Sequence, residues 1–312
     1  MAPLSHQSAA HSQPVWRRWA RARFLNRRVV PWLFVLPILL LHGIVIVGPS
    51  CAGLYYSLTK WSGIGPAQFI GLENFRRLIF DDMDFRRAFL NNLIWLAIFL
   101  TIPIAMALVA ASLLAPIRRG GMLFRAILFI PYIVPSVVTA SIWRNLLHPT
   151  LGIGGQLAKA GISGLDIAYL GNSHTALFAV AFADNWHWWG FLMVLFLASM
   201  QNIPPDLYEA ARMDGANRWD EFRHITIPGI RPTLVFMILM TAIWSFLVFD
   251  YIWILTQGGP AGSSEVLGTL LFKNAFNRFD AGYASAMGLT MSFFAGIIIC
   301  IFIVLRRRGW EI

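Results

Sequence analysis

The sequence predicts an all-α fold, a polytopic membrane helix bundle with six transmembrane helices. Of the 312 residues, 57% are hydrophobic and only 13% are charged, and the mean hydropathy is +0.62. A typical soluble domain has roughly 25% charged residues, so this composition excludes an ordinary soluble protein. Six apolar runs are each long enough to cross a hydrocarbon layer of ~30 Å at ~1.5 Å per residue.

The chain begins with a polar and basic tail, residues 1–28, in which six arginines lie between positions 17 and 28. We expect a cytoplasmic tail and not a cleaved signal peptide, because the next apolar run is too long and has no clear small-residue cleavage site. The predicted transmembrane domain covers residues 29–308. Residues 309–312 form a second short cytoplasmic tail.

The six predicted spans cover approximately residues 30–54, 89–114, 122–147, 176–200, 233–256 and 283–305. Proline occurs in the first three, and in the third Pro131 and Pro135 are spaced i and i+4. These prolines leave backbone carbonyls without a helical partner on one side. Such breaks serve packing in many helices, and in transporters they also supply pathway groups and bending points, so both interpretations stay open.

Positive charge predicts the orientation of the bundle. The segments assigned to one side, including both tails and the loop at residues 201–232, hold 16 of the 25 Lys and Arg residues. Because cytoplasmic loops carry the excess of these residues, we expect both termini and this loop to be cytoplasmic, in a multi-pass protein of the cell membrane. The connecting segments on the external side are residues 55–88, 148–175 and 261–282.

The loop at residues 201–232 reads as two short amphipathic helices. Pro205 fits the first position of a helix, and Gly215 lies where a left-handed C-terminal residue is needed. Asn217 can cap a second helix, with Trp219, Phe222 and Ile225 forming an apolar stripe. We expect this second helix to end at Pro228. Composition alone is equally compatible with an ordinary cytoplasmic connector.

The residues of this loop closely resemble the EAA loop of binding-protein-dependent ABC importer permeases. The likeness consists of the Glu-Ala-Ala run at residues 209–211, the Asp-Gly-Ala run at residues 214–216, and the Ile-Thr-Ile-Pro run at residues 225–228. Ile227 is the one departure, since leucine is usual there. Residues 69–75 (Phe-Ile-Gly-Leu-Glu-Asn-Phe) and 255–260 (Leu-Thr-Gln-Gly-Gly-Pro) resemble segments of carbohydrate permeases of the maltose and glycerol-3-phosphate type.

The resemblance implies a type I ABC importer permease whose loop is a coupling helix that seats in a cytoplasmic ATPase. The ATPase-coupling residues it implies are Glu209, Ala210, Ala211, Asp214 and Gly215. Glu209 would pair with a basic residue of the ATPase, and the two alanines would permit close docking. The implied partners are a second, non-identical permease, two ATPase subunits, an extracytoplasmic solute-binding protein and membrane lipid. Transport would follow alternating access, driven by ATP and Mg²⁺ bound to the ATPase.

The sequence contains no motif for catalysis by this chain. The run G-x-x-x-x-G-K-[ST] that cradles phosphate is absent, and so are HExxH and CxxC. We therefore predict no enzyme activity, no catalytic residue, no metal site and no cofactor. Cys51 and Cys300 lie in apolar runs, which supports neither a disulfide nor a metal site. The net charge of +10 arises from small clusters beside the spans, so we expect no nucleic-acid partner.

Polar and aromatic residues inside spans four and five are the candidates for a substrate pathway. A carboxylate near the bilayer centre costs ~2.5 kcal/mol or more if it faces lipid, so it should face a cavity or a partner. Carboxylates and amides suit sugar hydroxyls, and aromatic rings suit pyranose faces. The predicted pathway residues are Asp184, His187, Trp188, Phe246, Asp250, Tyr251, Trp253 and Gln257. Four of them, Phe246, Asp250, Trp253 and Gln257, are expected to share one helical face.

Other interpretations of these residues stay open. Trp and Tyr also collect at membrane boundaries without binding anything, and Asp250 could pair with a neighbouring subunit. Asp184 and Asp250 would be coupling carboxylates in an ion-coupled secondary transporter, and a channel-like protein without energy coupling is a third class. The cargo expected from the resemblance is a monosaccharide, an oligosaccharide or a glycerol phosphate, and the sequence does not distinguish them.

Overall fold

The computed structural model describes residues 30–117, 119–162, 164 and 166–307. The predictions for the two tails, residues 1–28 and 309–312, therefore lie outside the described residues. The chain divides into two compact units, one ending at Gly53 and the other beginning at Leu54. Everything below from β1 onward belongs to the second unit.

Within the described residues, the regular secondary structure is helical apart from one small β-hairpin. Its helices are α1 (Val30–Ser57), α2 (Glu73–Arg76), α3 (Met83–Leu114), α4 (Gly121–Ile133), α5 (Ser136–Leu146), α6 (Ile153–Lys159), α7 (Ala176–Met200), α8 (Pro205–Met213), α9 (Arg218–Glu221), α10 (Ile227–Gly229), α11 (Arg231–Leu247), α12 (Asp250–Leu255), α13 (Leu267–Phe272) and α14 (Ala281–Arg307). π-Helical turns occur at Gly43–Val47, Arg77–Asp81, Phe222–Thr226 and Lys273–Asn277. Strands β1 (Thr59–Lys60) and β2 (Gln68–Phe69) pair antiparallel, with Thr59 opposite Phe69.

Four stretches of the described chain are long and apolar enough to cross a membrane: α1, α3, α14 and the run Arg231–Leu255. The pair α4 and α5 counts as a fifth, although the two helices are bent by 94°. The predicted fourth span coincides with α7, whose 25 residues are long enough to cross but include the polar group around Asp184.

Two of the predicted spans are broken helices, and the break in the second of these two corrects the sequence prediction. The third span, in which Pro131 and Pro135 predicted a break, stops at Ile133 and restarts at Ser136, because Val134 precedes a proline and is extended. The fifth, expected to be continuous, is interrupted at Val248 and Phe249. Spans two and six begin earlier than predicted, at Met83 and Ala281, and the supposed external segment 261–282 includes α13.

The core lies mainly between α3 and α7. Small buried residues such as Ala107, Ala111 and Ala183 let these helices approach closely, as is usual in membrane bundles. Gly190 lets α7 touch α4, because a methyl group there would overlap the Leu128 carbonyl oxygen. A second apolar cluster joins the start of α3 to α13 and α14.

A buried asparagine contributes to holding the hairpin end of the bundle. Asn74 is 5% exposed, and its Nδ2 donates hydrogen bonds to Ser57 O at 2.8 Å and Thr59 O at 2.9 Å. Gly71 precedes α2 with a φ of +62°, a conformation that glycine adopts at little cost. The Gly-Leu-Glu-Asn segment singled out in the sequence therefore has a structural role at this end.

Candidate functional site

The first candidate site is a cleft of about 240 Å³ inside the bundle. Residues of α3, α7, α11 and α12, together with the break between the last two, form its walls. The lining residues are Trp95, Phe99, Asp184, His187, Trp188, Thr241, Trp244, Ser245, Leu247, Val248, Phe249, Asp250 and Tyr251. Two carboxylates and several large rings therefore face one internal space.

The two broken helices meet at this cleft. Asp250 is the first residue of α12, directly after the break in the fifth span, and Ser136 is the first residue of α5, directly after the break in the third. Ser136 Oγ donates a hydrogen bond to Asp250 Oδ2 at 2.8 Å. One polar contact thus joins the restart points of two interrupted helices, where irregular backbone in a membrane is tolerated beside a cavity.

Several aromatic rings at the cleft pack against one another or against rings behind its wall. The imidazole of His187 lies between Tyr132 and Tyr251, with ring centroids 5.3 Å and 5.9 Å away. Trp188 packs edge-on against Trp244 at 4.5 Å. Such rings offer apolar faces as well as polar edges to a bound molecule.

Three polar atoms of the cleft are buried without a partner. Within the described part of the chain, Trp188 Nε1, Thr241 Oγ1 and the Tyr251 hydroxyl make no hydrogen bond. An unsatisfied buried donor costs about 1–3 kcal/mol, so a ligand hydroxyl or water that reached these atoms would gain stability. The cleft therefore combines carboxylate acceptors, free hydrogen-bonding groups and ring faces.

The structure brings together five of the eight predicted pathway residues: Asp184, His187, Trp188, Asp250 and Tyr251. The expectation that Phe246, Asp250, Trp253 and Gln257 share one helical face is wrong, because the break at Val248 and Phe249 interrupts the helix.

The other three predicted pathway residues lie outside the lining of this cleft. Phe246 is 3% exposed and packs in the second apolar cluster. Trp253 packs against Phe249 and Phe272, and Gln257 follows the end of α12 with a φ of +50°. The sequence analysis missed Trp95 and Trp244, which only the fold brings to the cleft, and Ser136, which only the fold brings to Asp250.

The Gly-Gly-Pro segment after α12 is fixed to the rest of the bundle. Lys273 Nζ forms an ion pair with the buried Glu265 carboxylate and donates to Gln257 O at 2.8 Å. Asn91 of α3 donates to the Glu265 carbonyl oxygen at 2.8 Å, and Arg87 donates to Ala261 O at 2.8 Å. These contacts give the segment a defined conformation outside the cleft.

The second candidate site is the loop at residues 201–232. Pro205 is at the start of α8, Gly215 has a φ of +84°, and Asn217 caps α9 in a capping box with Asp220, as predicted. The prediction that the second helix ends at Pro228 is wrong. The chain passes through a π-helical turn and α10 almost directly into α11, because Pro228 occupies a first-turn position where no amide hydrogen is needed.

Side chains of α8 divide between a bonded face and a free face. On the bonded face, Arg212 Nε donates to Glu221 Oε1 at 2.6 Å, and the Tyr208 and Thr226 hydroxyls are 3.0 Å apart. The Glu221 carboxylate raises the pKa of the Arg212 guanidinium above its ordinary value through this hydrogen bond and its charge. On the free face, Met213 is 88% exposed.

Four of the five predicted coupling residues are exposed: Glu209, Ala210, Asp214 and Gly215. Ala211 is half-buried. An acidic residue, a methyl group and a left-handed turn are thus presented together at this end. In the described residues no group of three or more His, Cys, Asp or Glu side chains could hold a metal ion.

Residues 104–308 match the family of binding-protein-dependent transport system inner membrane components. The chain belongs to this family. It is a multi-pass inner-membrane permease component, as the Glu-Ala-Ala loop indicated. The family consists of permease subunits and not of enzymes.

Two relatives show the extent of the similarity. The chain is 36% identical over 266 residues to the probable ABC transporter permease protein YurN of Bacillus subtilis, covering 84% of this chain and 90% of the relative. It is 32% identical over 328 residues to the diacetylchitobiose uptake system permease protein NgcF of Streptomyces coelicolor, covering 98% and 92%.

A solved structure shows the same fold. A chain of a bacterial alginate ABC transporter, crystallised in complex with an alginate pentasaccharide-bound periplasmic protein, matches with a TM-score of 0.82 at 22% identity. The match covers 93% of this chain and 98% of that chain. The predicted type I ABC importer permease fold is therefore confirmed.

Proposed function

We propose that this permease imports a carbohydrate, forming half of a translocation pathway that works by alternating access. The cargo class is a monosaccharide, an oligosaccharide or a glycerol phosphate. The name of the Streptomyces relative, a diacetylchitobiose uptake permease, supports this class. The observation that carries the proposal is the cleft in which Asp184, Asp250 and the rings of His187, Trp188 and Tyr251 meet.

The chemistry of the cleft suits a sugar. Carboxylate oxygens accept hydrogen bonds from hydroxyl groups, and the free Trp188 Nε1 donates one. The rings supply the apolar surface on which a pyranose face can lie. A volume of about 240 Å³ holds only part of a disaccharide, so in the complete pathway the second permease would supply the opposite wall.

Energy would come from partner subunits that bind ATP and Mg²⁺. In this proposal two ATPase subunits dock on the cytoplasmic face against Glu209, Ala210, Ala211, Asp214 and Gly215, with both termini of the permease on that side. An extracytoplasmic solute-binding protein delivers the cargo, and a second, non-identical permease completes the pathway. The exposure of Glu209 and Ala210 supports this docking, because a short helix that presents a carboxylate beside a small side chain fits a socket.

The docking role is tested by copurifying the ATPase with Glu209→Ala. We expect roughly tenfold less recovered ATPase or a corresponding loss of uptake, because a desolvated charge pair loses one partner. Glu73→Ala is the control, since Glu73 is an exposed carboxylate at the hairpin end. Wild-type assembly and uptake in Glu209→Ala would refute the docking role, and uptake by vesicles lacking any ATPase would favour a secondary transporter.

The cleft is tested with the complete importer and the sugar identified by mass spectrometry in the copurified binding protein. We expect Asp250→Asn and Trp188→Phe to lower uptake about tenfold while ATPase recovery is unchanged, since the first removes a charged acceptor from the cleft and the second an indole N–H donor. Trp253→Phe is the matched control, because this ring lies outside the lining. Equal uptake in all three variants would refute the binding role.

A further inference from the structure

The Arg212–Glu221 bridge is the feature of the loop that docking does not explain. Glu221 has a side chain only 8% exposed, whereas the Arg212 side chain is 55% exposed. The guanidinium approaches both carboxylate oxygens, with Nε–Oε1 at 2.6 Å and a second nitrogen 3.4 Å from Oε2. A forked contact of this kind fixes orientation as well as distance.

The bridge spans the turn between the two helices of the loop. Between α8 and α9 the chain turns at residues 214–217, where Gly215 is in the left-handed region. Arg212 and Tyr208 are spaced i and i+4 on α8, so both contacts to the second helix come from the same face. Two side-chain contacts, Arg212–Glu221 and Tyr208–Thr226, therefore join α8 to the segment that follows the turn at Gly215.

The second helix continues toward the cleft. The π-helical turn Phe222–Thr226 and α10 lead into α11 with only Ile230 between, and Ile230 is fully buried. Thr233 of α11 also donates to the Ser199 hydroxyl oxygen at 2.9 Å. The far end of α11, Leu247, lines the cleft. At ~1.5 Å per residue its 17 residues form a rod of ~25 Å from the loop to the cleft.

We propose that Arg212 and Glu221 are positioning residues that make α8 and α9 one rigid body, so that movement of α8 is transmitted through α11 to the cleft. This rests on the proposed docking of an ATPase at the free face of α8. Without the bridge, α8 would follow the ATPase while the turn at Gly215 bends, and the cleft would stay as it was. The bridge would thus act in coupling and not in docking.

The experiment uses the full importer complex with Cys51→Ser and Cys300→Ser and a probe at Val248→Cys, a position that lines the cleft. A water-soluble maleimide reports cleft accessibility with and without vanadate-trapped ATP. Arg212→Ala, Glu221→Ala and the double variant are compared with Arg223→Ala, which removes an exposed arginine of the same loop and keeps the bridge. Recovery of the ATPase is measured for each.

We expect each single variant to retain the ATPase and to reduce the nucleotide-dependent change in maleimide rate about tenfold, the scale of one charge-assisted hydrogen bond. The double variant should be no worse than either single, because both act through one contact. Arg223→Ala should respond as the parent does.

Several results would overturn the proposal. An unchanged response in the single variants would do so, as would effects that add in the double. If Arg212→Ala does not assemble, Arg212→Lys, which keeps the charge without the fork, decides the matter. Loss of the ATPase in that variant as well would place the bridge in docking. Failure of the docking proposal itself would be distinct, since the ATPase would then be absent from the parent complex.

Discussion

Gly258 lies outside the two candidate sites, and a single methyl group there should be strongly destabilising. Its φ is +81°, and a methyl group there would lie 2.6 Å from Cδ of Glu265, whose carboxylate is buried and paired with Lys273. Gly258→Ala therefore combines backbone strain with displacement of a buried ion pair. The strain costs about 1 kcal/mol and the displaced pair about 3 kcal/mol.

The matched control is Gly65→Ala. Gly65 has a similar φ of +77°, but nothing lies within 4 Å of the added methyl group. This variant isolates the backbone term, so it should lose about 1 kcal/mol of unfolding free energy. In a thermal melt of the detergent-solubilised protein, we expect Tm to fall roughly 10 °C for Gly258→Ala and about 3 °C for the control.

Equal falls in the two variants would refute the reasoning, because the carboxylate contact would then contribute nothing. A double variant gives a second check. Once Gly258→Ala has displaced the ion pair, adding Glu265→Gln should lower Tm by less than Glu265→Gln does alone. An additive fall would mean that Gly258 and the ion pair act independently.

Two further predictions concern the bundle. Asn92→Ala should lower the free energy of unfolding by about 3 kcal/mol, because the buried amide donates to Ser245 O and accepts from the Leu267 amide, and both would lose a partner; a denaturant titration measures the loss. Gly190→Ala should lower Tm by several degrees by separating α7 from the α4 backbone, whereas Gly43→Ala, with open space around the added methyl group, should not.

The loop at residues 201–232 could be predicted from sequence because its signals are local. Pro205, Gly215 and Asn217 each act on backbone groups within four residues, so propensity decided the outcome. The bridge from Arg212 to Glu221 could not be predicted in the same way. It depends on how sharply the chain turns at Gly215, which the sequence does not specify.

The break in the fifth span had no sequence signal, since residues 241–256 contain neither proline nor glycine. Its cause lies in distant residues. A helix that stops at Leu247 leaves its last carbonyls without partners, and in a membrane they must be satisfied by protein. Asn92 of α3 supplies a donor to Ser245 O. Gly268 of α13 also packs closely against the Val248 carbonyl oxygen, where a side chain would not fit.

These observations distinguish sequence similarity that preserves the fold from sequence similarity that selects the cargo. The Gly-Leu-Glu-Asn and Gly-Gly-Pro segments resemble carbohydrate permeases, yet their contacts are structural. Asn74 bonds the hairpin, and Glu265, a few residues after the second segment, is bonded to α3 and to Lys273. A segment that stabilises the fold in this way does not indicate which molecule the permease transports. Discrimination between cargoes within the membrane would then depend on the groups at the two helix breaks. Asp250 joins one break to the other through Ser136, so any change in the angle between the broken helices also moves a carboxylate of the cleft.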